Sequence, residues 1–153
     1  MQSSNKPLII AGILSTLAGF LHLGIIIGGP DWYRFFGAGE GMAQMAEKGM
    51  TYPAIAAASI ALALFIWAAY AFSGAGVIRK LPLLKTGLIT ISIIFFIRSL
   101  FGIAFVNYVE HPYYNELAAR PIFMWVTSAI CLIYALLFAI GTFKRWSIMS
   151  SAK

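Results

Sequence analysis

The chain has 153 residues, of which 61% are hydrophobic and only 10% charged, and its formal net charge is +6 at pH 7. Soluble domains carry roughly 25% charged residues, and a domain this short buries only about two-thirds of its surface. An ordinary soluble enzyme or nucleic-acid-binding module is therefore excluded: this much apolar surface needs an apolar solvent, and the chain reads as one membrane domain over residues 1–153.

A spanning helix needs about 20 predominantly apolar residues. Four stretches qualify, covering roughly residues 8–28, 53–72, 83–106 and 121–143. They predict an all-α integral membrane protein, a bundle of four transmembrane helices. The first stretch follows Lys6 and ends in Gly28-Gly29-Pro30. It is longer than the 7–15 apolar residues of a signal peptide and has no small-x-small cleavage site, so it reads as a retained helix. Gly12, Ser15, Gly19 and His22 recur along it at intervals of three and four. Small residues on one stripe let another helix approach closely, so His22 is expected to face protein.

The connection from Gly29 to Tyr52 is long, and loops beyond about 12–15 residues without structure of their own are uncommon. Asp31 sits where a helix cap would, and Trp32 to Phe36 can form one turn stopped by Gly37. Ala38, Met42 and Met45 then repeat at helical spacing, with Glu40, Gln44, Glu47 and Lys48 on other faces and Gly49 as a stop. This predicts a short amphipathic helix at the membrane surface or over the bundle. Trp32, Tyr33, Phe35 and Phe36 suit either an interfacial aromatic belt or the wall of a ligand pocket.

The second stretch is alanine-rich and begins at Pro53. Pro82 and Pro121 stand near the starts of the third and fourth. Proline suits a first helical turn, where its missing N–H has no helical partner. Arg98, in "IIFFIRSLFGIAF", is the strongest single signal. A charge inside a span costs about 2.5–3.5 kcal/mol on insertion scales, and such residues generally face the bundle interior and take a partner. At 1.5 Å per residue, His22 stands about 9 Å from Gly28 and Arg98 about 13.5 Å from Asn107, so the two reach comparable depths. The last loop, "NYVEHPYYNELAARP", adds Glu110, His111 and Glu116 among tyrosines. Cys131, the single cysteine, excludes a disulfide within the chain and reads as a small buried hydrophobe.

Basic residues set the orientation. Lys6, Arg79, Lys80, Lys85, Lys144, Arg145 and Lys153 fall on one side. Arg34, Lys48 and Arg120 fall on the other, with all five acids. Both termini are therefore expected to be cytoplasmic. No acid lies deep in a span, and two histidines with one cysteine do not make a multi-histidine haem or copper site; no metal is expected and no cofactor is indicated. Phosphate loops, nucleotide fingerprints and nucleophile elbows are absent from the sequence.

The run "HLGIIIGGPDWYRFFGAGEGMAQMAEKG", followed by an alanine-rich span and "SGAGVIRKLPLL", resembles a group of small bacterial inner-membrane proteins whose four-span layout is broadly similar to that of DoxX-like proteins. The resemblance implies a bacterial inner membrane and carries over no catalytic residue.

The expectation is a binder of a lipid, quinone or other amphiphile at an outward-facing polar pocket. Arg98 would hold an anionic or carbonyl group and His22 would hydrogen-bond or exchange a proton. Asp31, Glu40 and Glu110 would be counter-ions or gates, and Trp32 and Tyr33 walls. Two other readings stay open. In one, a membrane isomerase or oxidoreductase uses His22 as acid or base and Arg98 as oxyanion stabiliser. In the other, the chain is an accessory subunit whose Gly12/Gly19 face packs on a partner. Membrane lipids, a second copy or a partner membrane subunit are the expected contacts, and nucleic acid is not.

Overall fold

The computed structural model describes residues 5–104 and 111–147. These residues form seven helices and no strand: α1 (Lys6–Gly28), α2 (Pro30–Phe35), α3 (Glu40–Glu47), α4 (Tyr52–Ala75), α5 (Leu84–Ala104), α6 (Pro112–Ala118) and α7 (Pro121–Lys144). Prolines stand in the first turn of α1, α2, α4, α6 and α7. Pro82 instead lies two residues before α5, in the turn that leads into it. Three helices, α1, α4 and α7, are long and apolar enough to cross a membrane. The 21-residue α5, which carries Lys85 and Arg98, packs along α7.

The four long helices run up and down as two tightly packed pairs, α1 with α4 and α5 with α7. The stripe on α1 explains the first pair. A Cβ added at Gly12 would meet the Phe72 ring at 2.7 Å, and one added at Gly19 would meet Phe65 at 2.7 Å. Hydrogen is all that fits there, and the two backbones approach accordingly.

The pairs join at the end where α1 begins and α7 finishes. Leu8, Ala75, Leu88 and Phe138 form one buried cluster there. Leu8 fills the space that a side chain at Gly74 or Gly141 would take. The Asn5 side-chain amide donates to the Gly141 carbonyl at 2.7 Å, and Arg145 donates to the last carbonyls of α4, at 2.7 Å to Ala75. An arginine on those carbonyls satisfies groups that a helix C-terminus leaves without partners.

At the opposite end, α2, α3 and α6 form a cover. Tyr33 is 3% exposed and Ala43 fully buried, packed with Ile25 and Ala57 and flanked by Ala38, Met42 and Ala46. The buried side of α3 is thus centred on Ala43, one residue round from the Met42/Met45 stripe.

Candidate functional site

Between the two helix pairs, below the cover, lies a cavity of about 570 Å³. Such a volume falls within the roughly 300–1,000 Å³ of small-molecule sites. Its walls differ in chemistry. The α4 wall is a trough of small and aliphatic residues, in which Ala56, Ala57 and Ala63 alternate with Ile60 and Leu64. The opposite wall carries Arg98 from α5, Thr127, Cys131 and Tyr134 from α7, and Tyr113 from α6. Trp67, Phe95 and Tyr134 close it from the chain-terminus side. Phe95 stacks on Tyr134 with centroids 4.6 Å apart and meets Trp67 edge-on at 5.2 Å.

His22 and Arg98, placed at similar depths by their helical positions, both line this cavity. The Nδ1 of His22 lies 2.8 Å from the Ala18 carbonyl one turn earlier. A carbonyl only accepts, so Nδ1 carries the proton and donates, which leaves Nε2 as the ring atom available to a ligand. Arg98 makes no hydrogen bond or ion pair with any of the described residues. Its charge is felt by the Tyr113 phenol: burial pushes that phenol up, and Arg98 works against the rise. Tyr113 thus remains a neutral hydroxyl, and it donates to the Gly37 carbonyl at 3.3 Å.

The acids lie elsewhere. Asp31 and Glu40, expected as counter-ions of Arg98, instead surround Arg34. The Arg34 guanidinium meets Glu40 through two bonds of 2.7 and 2.8 Å, Glu47 at 2.7 Å and Asp31 at 3.3 Å. Hydrogen bonds from Arg34, more than any other influence, hold the Glu40 carboxyl below the usual carboxylate range, and those to Glu40 and Glu47 raise Arg34 in turn. Neither Asp31 nor Glu40 lines the cavity. The physical reason is reach: Arg34 is on the same loop, three and six residues away, whereas Arg98 is on a helix beneath the cover. Glu110 lies outside the described residues. Of the two aromatic candidates, Tyr33 lines the cavity, while Trp32 packs outward over Gly24 and Gly28 and stays partly exposed, as an interfacial ring would.

The residues that hold the cover shut carry little signal in the sequence. The Glu116 carboxylate accepts the backbone N–H of Glu40 at 2.9 and 3.1 Å, so the last loop caps the first turn of α3 from 76 residues away. Arg120 donates to the Arg34 carbonyl at 2.8 Å and to that of Phe35 at 3.3 Å. Gly37 and Gly39 have φ of +75° and +94°, and their missing side chains leave room for the Phe123 and Tyr113 rings. Composition hints at an occupied loop, but nothing in linear spacing pairs Glu116 with residue 40.

Fold and site together define a helical protein of membrane character, with a half-open, mostly apolar cleft under a tied cover. Comparison with protein-family models, curated proteins and solved structures finds no match to the chain.

Proposed function

We propose that the protein is a four-span inner-membrane protein that binds a small amphiphile in the cavity under its cover. The observation that carries this reading is the convergence of Arg98 and Tyr113 from one side and His22 from the α1 side on a cavity whose α4 wall is an alanine-built apolar trough. Polar groups that converge on an otherwise apolar hollow fix the orientation of a ligand whose bulk is apolar. In this reading α5 is the fourth span, because it runs along α7 and carries Arg98, an exposed side chain, at the wall of the cavity. Lys6, Arg79, Lys80, Lys85, Lys144 and Arg145 gather at the terminus-bearing end, which supports a cytoplasmic placement of that end. The cover then faces outward, with α3 at the interface, and the membrane is a bacterial inner membrane.

The test is ligand linkage. Protein stripped of lipid in detergent should gain thermal stability when an organic extract of bacterial membranes is returned, because whatever binds only the folded state stabilises it. Ala56→Trp, which fills the trough, should abolish the gain. An equal gain in both proteins would place the lipid on the outer surface and remove the case for a binding cavity.

A further inference from the structure

We propose that the occupant is a single-chain amphiphile with an anionic head, held by Arg98 with Tyr113 beside it and with its chain in the α4 trough; this rests on the amphiphile-binding reading above. Three observations select the class.

The first is charge. Among the described residues Arg98 is the one charged side chain that lines the cavity, and no carboxylate of theirs meets it. Asp31, Glu40 and Glu47 are on Arg34, and Glu116 is on the Glu40 N–H. Arginine keeps its proton under all ordinary conditions. Arg98 stands exposed on the cavity wall with no described carboxylate against it, and an incoming anion supplies the opposite charge. A neutral quinone would offer only carbonyl acceptors, and a cationic amphiphile would be repelled. The planar fork of arginine suits a carboxylate or a phosphate alike.

The second is size. About 570 Å³ is drug-sized space, too little for a phospholipid with two acyl chains. The third is length. The trough runs along α4 from Pro53 to Trp67, about 21 Å at 1.5 Å per residue. That exceeds half of the roughly 30 Å hydrocarbon thickness, so one monolayer-length chain fits along it. The small side chains Ala56, Ala57 and Ala63 are what leave the room.

Trp67 lines the far end of the trough and serves as the reporter. The probe is 9,10-dibromostearate, whose bromines quench tryptophan on contact, added to delipidated protein in detergent. The Trp67 signal is the difference between wild type and Trp67→Phe. The expected result is saturable quenching of that signal, displaced by oleate and not by a decyl-substituted benzoquinone. Arg98→Gln should weaken binding about tenfold or more, as loss of a charge-assisted bond does, while Arg98→Lys recovers part of it. Dodecyl phosphate as competitor separates the head groups: displacement extends the site to phosphates, and failure to displace confines it to carboxylates. Displacement by the quinone with no effect of Arg98→Gln overturns the anion and leaves amphiphile binding standing. Absence of saturable quenching, with neither oleate nor the quinone raising the melting temperature, overturns both.

Discussion

Removing the Glu116 carboxylate should loosen the cover without disturbing the bundle. In Glu116→Ala the Glu40 amide loses its acceptor, and the α3 N-terminus loses its cap from the opposite loop. Deleting an N-cap acceptor costs about 0.5–2 kcal/mol. The Glu116 side chain is half-buried, so water competes for the amide and the lower half of that range applies. The Tyr113–Gly37 bond, at 3.3 Å, and the Arg120 bonds to Arg34 and Phe35 persist and hold the loops in register. A loss of about 1 kcal/mol corresponds to about fivefold more frequent opening. Hydrogen exchange followed by mass spectrometry, in detergent or nanodiscs, reads it directly. Amides from Glu40 to Glu47 should exchange about fivefold faster, while α1 and α4 keep wild-type protection. Unchanged exchange over α3 would show that its cap is not what ties the two loops. Faster exchange throughout α4 would show that the cover and the bundle are one cooperative unit.

Four further outcomes follow from the same geometry. Arg98→Met should leave the melting temperature of ligand-free protein unchanged or higher, because it breaks no pair with the described residues; a lower melting temperature would give Arg98 a structural partner. Gly12→Leu should destabilise by about 1–3 kcal/mol in detergent unfolding, since a Cβ there meets Phe72 at 2.7 Å, and unchanged stability would mean that α1 and α4 are not in close contact. Because Arg34 lowers Glu40, the stability of that pair is complete above the unfolded carboxylate value of about 4.3 and is lost as pH falls through the folded value. Wild-type melting should therefore hold from pH 7 to 5 and drop below 4 more steeply than that of Arg34→Gln, and parallel profiles would refute the linkage. In a Cys131→Ala background, cysteines placed at Gln44 and Asn115 should react with an impermeant reagent applied outside cells and one at Lys80 should not; the opposite pattern would invert the orientation.

Hydrophobic run length located the four long helices to within a few residues, because a stretch of about 20 apolar residues has few other conformations open to it. The Gly12/Ser15/Gly19 stripe pointed to a close helix contact, because helical spacing puts those residues on one face, but it did not say that the neighbour is α4. His22 and Arg98 were legible as polar residues in apolar runs, and both line the cavity. Their surroundings were not legible. The stripe on α3 turned to Ala43, because Ile25, Tyr33 and Ala57 form the surface it meets. The acids went to Arg34, whose choice of partner depends on how α2 and α3 fold back on each other. The Glu116 cap and the Arg120 carbonyl bonds join segments 76 and more residues apart. The alanines of α4 signalled close packing, yet part of their effect is the reverse: at Ala56, Ala57 and Ala63 they leave the space that forms the trough.

Native mass spectrometry of the protein released from its own membrane tests the central claim most directly. Wild-type protein should carry one retained single-chain amphiphile per chain through mild activation, and both Ala56→Trp, which fills the cavity, and Arg98→Gln, which removes its charge, should lose it. Bare wild-type protein, or the same adduct at the same occupancy in both variants, would contradict a ligand-binding cavity beneath the cover.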